Sequence, residues 1–344
     1  MTVGLQTFKY TPIQISQKQT QNMNSKIKLS AFLFSILLLG SDFSFAENIS
    51  TKLILLGTGG GPLPRANRAQ TSQALVVNGQ AYIIDAGDGL NRRIVQAGLN
   101  FTKINQVFIT HLHNDHTGGL ANFLYTTWSY SRRSPLDVYG PMGTEATMEG
   151  AIHYFAVDAE LRKEGEGKNI PLKDVFVGHD MKEGLIYQDS NIKVTAAQNE
   201  HYHFSPEFSK RNQSFSYRFD TQEKCYVFSG DTGPSKNLEN LAKGCDVLVS
   251  EVGKVEDVIA VQEKNGTWKM KTEDEKKSWA RHMVEEHMTP QQVGEMAQRA
   301  GVKVLILSHL LPSTDANDDY ARFKQEASLY FKGQITVGKD LMQF

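Results

Sequence analysis

Four side chains able to ligate a divalent metal fall within six residues: His111, His113, Asp115 and His116, inside QVFITHLHNDHTGGL at 106–120. The chain has ten histidines in all, and a polar surface loop does not explain three of them in one place. The apolar run Val107-Phe108-Ile109 ahead of them reads as a buried strand. Residues two apart in an extended segment point the same way, so His111 and His113 grip one ion. Asp115 and His116 follow where the chain must turn, ahead of Gly118-Gly119, and face a second. Imidazole and carboxylate suit zinc and its divalent neighbours. Two divalent ions are therefore expected, Zn2+ foremost, with Mn2+ or Fe as alternatives.

A third imidazole is needed to complete the first ion. NEHYHF at 199–204, after a strand at 192–197, holds two, His201 and His203. Other acidic and imidazole groups end apolar runs. Asp85 closes a hairpin that turns at Asn78-Gly79. Asp231 lies in Gly-Asp-Thr-Gly after KCYVFS, Glu251 near the end of CDVLVSEVG, and His309 near the end of VKVLILSHL. Asp85 also reads as a helix N-cap for GLNRRIVQAG, and Asp231 as a turn residue between glycines.

H-x-H-x-D-H after a strand resembles the signature of the metallo-β-lactamase superfamily, and the resemblance covers nearly all of the chain beyond residue 46. The loop GTGGGPLPRANRAQTS after the strand Leu53 to Leu56, and PLDVYGPMGT with the helix after it, are similar to one branch. That branch holds RNase Z, the tRNA 3′-end endonuclease, with related phosphodiesterases and arylsulfatases. The resemblance implies a two-metal hydrolytic site in loops at the edges of two facing sheets. It favours His201 over His203 beside His111 and His113 on the first ion. It places Asp115, His116 and His309 on the second, with Asp231 bridging. It makes Asp85 the residue that orients the metal loop. His287-Met288-Thr289 matches a His-x-Thr motif, so His287 is expected to donate a proton to the leaving group. The plain alternative for His287 is a surface histidine beside the helix start Thr289-Pro290-Gln291-Gln292. Two such ions, ~3.5–4 Å apart, acidify a shared water and hold an anionic substrate. A metal-bound hydroxide, oriented by Asp115, then attacks phosphorus, sulfur or an acyl carbon, and the second ion stabilises the oxyanion.

The strand groups 53–139 and 192–307, each with helices, suggest a pseudo-duplicated α/β fold, a four-layer αββα sandwich in one domain, 47–344. The predicted helices lie at 117–130, 143–162 and 317–330. Residues 162–169 read as a solvated loop, and the charged stretch 253–280 as an irregular insertion at the site mouth. Residues 1–46 read as an extension with a secretory signal. Lys26 and Lys28 precede the apolar run Ala31 to Gly40, and Phe43-Ser44-Phe45-Ala46 offers cleavage after Ala46. The expected location is secreted or periplasmic, with membrane contact only through that segment. Without it the chain has 33 Lys plus Arg against 37 Asp plus Glu, a net charge of −4. Such a balance is a poor grip on polyanions.

These features predict an exported binuclear hydrolase acting on a small-molecule phosphodiester, sulfate ester or related ester. The alternatives are RNase Z-type tRNA processing, a lactonase- or β-lactamase-like acyl hydrolase, and a metal-binding protein without catalysis. The last is disfavoured because a structural zinc would be closed by four ligands. A homodimer stays open. Cys225 and Cys245 each open a strand, and an oxidising compartment would favour a bridge. Two buried free thiols are nonetheless expected, because strand geometry restricts which paired positions can bridge.

Overall fold

Alternation along the first strand sets the layers. In β1 (Thr51–Gly57), Leu53 and Leu55 enter one apolar cluster, while Ile54 and Leu56 enter another on the opposite face. Successive side chains of a strand point to opposite faces, so a strand apolar at every position is covered on both sides. This computed structural model describes residues 50–130, 132–314 and 320–344. The chain divides into Met1–Phe45 and Ala46–Phe344, and every described residue lies in the second unit. The expected signal segment lies outside the described residues. No described helix is long and apolar enough to cross a membrane.

β1, β2 (Ser72–Val77), β3 (Gln80–Ile84), β4 (Gln106–Phe108), β5 (Leu136–Gly140) and β6 (Phe176–Asp180) form a six-stranded sheet in that order. A seven-stranded sheet follows from β7 (Gly184–Gln188), β8 (Ile192–Gln198), β9 (Phe215–Thr221), β10 (Cys225–Phe228), β11 (Val247–Gly253), β12 (Val304–Leu311) and β13 (Gln334–Val337), ordered β13-β12-β11-β10-β9-β8-β7. Both sheets begin antiparallel and end parallel, β3 to β6 in the first and β10 to β13 in the second. The helices beside the first sheet are α1 (Leu90–Gln96), α2 (Asn114–Thr117), α3 (Leu120–Ser129), α4 (Thr144–Tyr154) and α5 (Ala156–Glu166). Those of the second half are α6 (Pro206–Ser209), α7 (Lys236–Ala242), α8 (Val255–Lys264), α9 (Glu273–Glu285), α10 (Pro290–Ala300) and α11 (Ala321–Tyr330).

Three cores fill the spaces between layers. Leu53, Leu55, Phe108, Phe219 and Ile306 meet between the sheets. Leu90, Ile94, Phe123 and Met148 pack the first set of helices on β1 to β5, and Leu238, Val293, Met296 and Phe323 pack the second set on β10 to β13. The result is the expected four-layer αββα sandwich. Phe108, one residue from the metal loop, stacks on Tyr139 at 5.3 Å and meets Phe219 edge-on at 5.1 Å. Its full burial stabilises by roughly 1.5–3 kcal/mol and anchors the strand that carries the loop.

Several local expectations change. The Asn78-Gly79 turn forms, with both φ positive, as a two-residue hairpin of this twist requires. The helix of 143–162 is two, broken at Phe155, and the second runs to Glu166 into the supposed loop. Residues 253–280 are not irregular: they hold α8 and most of α9, the latter started by a capping box at Thr272 and Glu275. Their charged faces stay in solvent, which hides the helical period from an apolar count. β6, β7 and β13 are short and half-polar, and extend the halves to 51–180 and 184–337.

The cysteines are a correction. Cys225 and Cys245 form a disulfide, with Cα atoms 5.1 Å apart. The strand argument fails because only Cys225 is in a strand. β10 and β11 pair Tyr226 with Val247, so Cys225 lies level with Asp246. Cys245 sits in the turn ahead of β11, where backbone direction is free to meet the bridge's requirements.

Candidate metal centre

The loop after β4 is held from behind by Asp85. That residue has φ +56° at the end of β3. Its carboxylate accepts from the Thr110 amide at 2.8 Å and hydroxyl at 3.0 Å, and meets His116 Nδ1 at 2.9 Å. The helix after it is capped at Gly89, so Asp85 is not its N-cap. With Nδ1 engaged, His116 presents Nε2 to the cluster. Asp115 and His116 do not simply turn, because they lie on the helical turn α2. Gly119 closes the loop against the β3 end: a Cβ there would stand 2.3 Å from the Gly87 carbonyl oxygen.

The second sheet adds one side chain per strand end. His201 follows β8, is fully buried, and directs Nδ1 to the Glu286 carbonyl at 3.1 Å. Asp231 follows β10, next to Gly230 at φ +59°. His309 sits in β12 where the pairing slips: Ser250 faces Leu307 but Val252 faces Leu310. That bulge, with His309 at φ +44°, re-aims the side chain.

All seven candidate ligands converge in two groups. In each, the ligand atoms lie within 4.8 Å of one another: His111, His113 and His201, then Asp115, His116, Asp231 and His309. His113 Nδ1 is 3.1 Å from His111 Nε2 and 3.2 Å from His201 Nε2. Asp231 lies between the groups, its Oδ1 3.2 Å from His116 Nε2 and its Oδ2 3.1 Å from His309 Nε2 and 4.0 Å from His111 Nε2. Asp115 Oδ2 is 3.2 Å from His309 Nε2 and accepts from the Gly61 amide at 2.9 Å.

Burial, reinforced by neighbouring imidazoles, pushes His111 and His201 well below the ordinary histidine range, and burial lowers His113. One ring nitrogen of each lies within 4.8 Å of the others, an arrangement that suits a cation. In the second group burial opposes charge, but pairing wins. Asp231, Asp85 and Asp115 raise His116, while His309 and His116 hold Asp231 well below the carboxylate range. His116 Nε2 and Asp231 Oδ1 are buried and lack a hydrogen-bond partner among the described residues. Buried polar atoms left so are costly, and divalent cations would satisfy them. The donor set therefore fits two ions.

His203 stays outside. It is about a third exposed and faces Glu285 Oε2 at 3.3 Å. His287 is buried, not a surface residue, and lies with His201 and Asp231 in a further set of converging donors. Its Nδ1 meets Glu251 Oε2 at 3.0 Å, and Glu251 also accepts from the Thr232 and Met288 amides. Sequence reasoning left Glu251 without a role. Its place at the end of an apolar run, like Asp231, was the available signal. His287 lines a cavity of about 480 Å³ with His113, Asp115, Asp231 and His309, and its walls include Gly61, Arg65, and Val258, Trp279 and Met283 of α8 and α9.

The fold is that of metallo-β-lactamase-fold proteins, and it carries a candidate metal centre. Residues 51–257 match the family described as anti-Pycsar protein Apyc1, and the chain belongs to that family. It is 29% identical over 293 residues to the ribonuclease Z of Mycobacterium sp. (strain KMS), covering 84% of this chain and 94% of that protein. The fold is similar to YhfI of Bacillus subtilis, a metallo-β-lactamase fold protein, with TM-score 0.60, 17% identity, and 86% and 98% of the two chains covered. It is also similar to human tRNase Z, short form, with TM-score 0.58, 19% identity, and 85% and 98% covered.

Proposed function

We propose that this protein is an exported two-metal hydrolase of phosphodiesters. The observation that carries the reading is the convergence of seven imidazole and carboxylate ligands, with His113, Asp115, Asp231 and His309 lining the cavity and a carboxylate-held histidine beside them. Two divalent ions, zinc foremost, would be held by His111, His113 and His201 and by Asp115, His116 and His309, with Asp231 shared. Bound there, they supply Lewis acidity towards substrate oxygens and acidify water.

The chain's own groups do the rest. Asp85 and the Glu286 carbonyl set the ring orientations of His116 and His201. Asp115, pinned by the Gly61 amide, orients the attacking water. Burial lowers the pKa of His287, but the Glu251 carboxylate outweighs it and pushes it up to about 9, so His287 stays protonated. It gives that proton to the departing oxygen.

Phosphodiesters are favoured over sulfate esters and acyl substrates because the curated relatives are named for an RNA-cleaving enzyme. Small esters are favoured over tRNA because the chain is not basic. The Cys225–Cys245 bridge supports export to an oxidising compartment.

The test is turnover by purified, metal-loaded protein across phosphodiester, sulfate ester, lactone and precursor-tRNA substrates, with elemental analysis alongside. About two metals per chain and preference for a small phosphodiester support the reading. Preference for tRNA, with mature protein in the cytosol and no start near Glu47 by mass spectrometry, restores tRNA processing as the function.

A further inference from the structure

Beyond the residues already assigned, one more histidine faces the cavity. His282 lies in the last turn of α9 and lines the cavity wall. Its Nδ1 meets Glu286 Oε2 at 2.7 Å. Its ring centroid is 5.2 Å from that of His287 and 5.8 Å from that of His201. With Nδ1 engaged, Nε2 is the ring atom left for a molecule in the cavity.

Helix stability does not account for this pair. Glu286 is the C-cap of α9 and buried. The C-terminal end of a helix carries partial negative charge and disfavours a carboxylate, and burial adds to the cost. A carboxylate placed there against both effects is the kind of local violation found at functional sites. Glu286 also ties the pair to the metal cluster, because its carbonyl meets His201 Nδ1 at 3.1 Å. Two imidazoles, His287 on Glu251 and His282 on Glu286, thus stand side by side over the cluster. Each uses Nδ1 on a buried carboxylate.

We propose that His282 is a substrate-binding residue, hydrogen-bonding through Nε2 to the ester group held at the cluster, and that Glu286 is its positioning residue. The inference rests on the phosphodiester reading. α9 thereby does more than wall the cavity: it delivers a contact that neither sheet supplies.

Steady-state kinetics of the metal-loaded enzyme on bis(p-nitrophenyl) phosphate test it. A lost hydrogen bond to a charged group predicts that H282A raises KM about tenfold or more, with kcat changed far less and metal content unchanged. E286Q should raise KM by a smaller factor, and H282N, which keeps a donor, should recover part of the loss. An unchanged KM in H282A with both metals retained overturns the proposal. If H282A loses its fold, the comparison of H282N and E286Q with wild type decides, and wild-type KM in both overturns it. If wild type does not cleave the ester, the phosphodiester reading fails, and calorimetric binding of inorganic phosphate replaces kinetics. Equal phosphate affinity of wild type and H282N, or no binding by either, then overturns the role of His282.

Discussion

In each half of the molecule a buried carboxylate holds the Nδ1 of a buried histidine: Asp85 that of His116 at 2.9 Å in the first, Glu251 that of His287 at 3.0 Å in the second. Both carboxylates lie at or near the end of a core strand, and both meet Nδ1. The surroundings separate them. Asp85 also takes the Thr110 amide and hydroxyl, so it is part of the metal loop, and His116 Nε2 faces Asp231. Glu251 takes the Thr232 and Met288 amides, while His287 borders the cavity. Under the proposed function one pair serves metal retention and the other serves substrate. A dyad's role follows from where its second nitrogen points, not from its chemistry.

The largest effect falls on the group that both halves share. Asp231→Ala should abolish hydrolysis and release at least one metal per chain, read by activity and elemental analysis. Hydrolysis retained with both metals would remove Asp231 from the bridge.

The contrast between dyads comes next. Asp85→Asn should weaken metal affinity about 10- to 100-fold, measured by chelator competition. Glu251→Gln should leave metal content alone and lower turnover of esters with poor leaving groups about 10²- to 10⁴-fold. Protonated His287 is the active form, so activity is present below its pKa and falls as pH rises through about 9. Removing the Glu251 charge moves that fall to lower pH. Metal loss in Glu251→Gln, or an unmoved alkaline limb, would erase the distinction between the pairs.

Reducing the Cys225–Cys245 bridge tests stability apart from chemistry. The cysteines are 20 residues apart, and the loop-entropy model assigns such a closure about 3 kcal/mol. Denaturant unfolding with and without reductant should show a loss of that order, with metal content unchanged. The smallest effect is expected of His203→Ala, which should retain both metals. Metal loss there but not in His201→Ala would reverse their assignment.

Much of the centre was legible because metal ligation demands particular side chains at particular places. Imidazoles and carboxylates on the loop after β4 and at the ends of apolar strands stand out one by one, and the αββα layering follows from strands apolar on both faces. Three things were not legible. The cysteine bridge depends on Cys245 lying just ahead of β11, a difference of two residues that composition does not carry. The pairing of Glu251 with His287 depends on where α9 docks, whereas His282 and Glu286 pair i, i+4 once that helix forms. Its charged sequence alone gives no reason for that docking. The residues alone left His201 and His203 open, and although the resemblance favoured His201, the turn at the end of β8 decides which imidazole faces inward. Sequence determines which groups are available and the local period that buries them. Only packing between distant segments decides where each free nitrogen points, because that direction is set by neighbours remote along the chain.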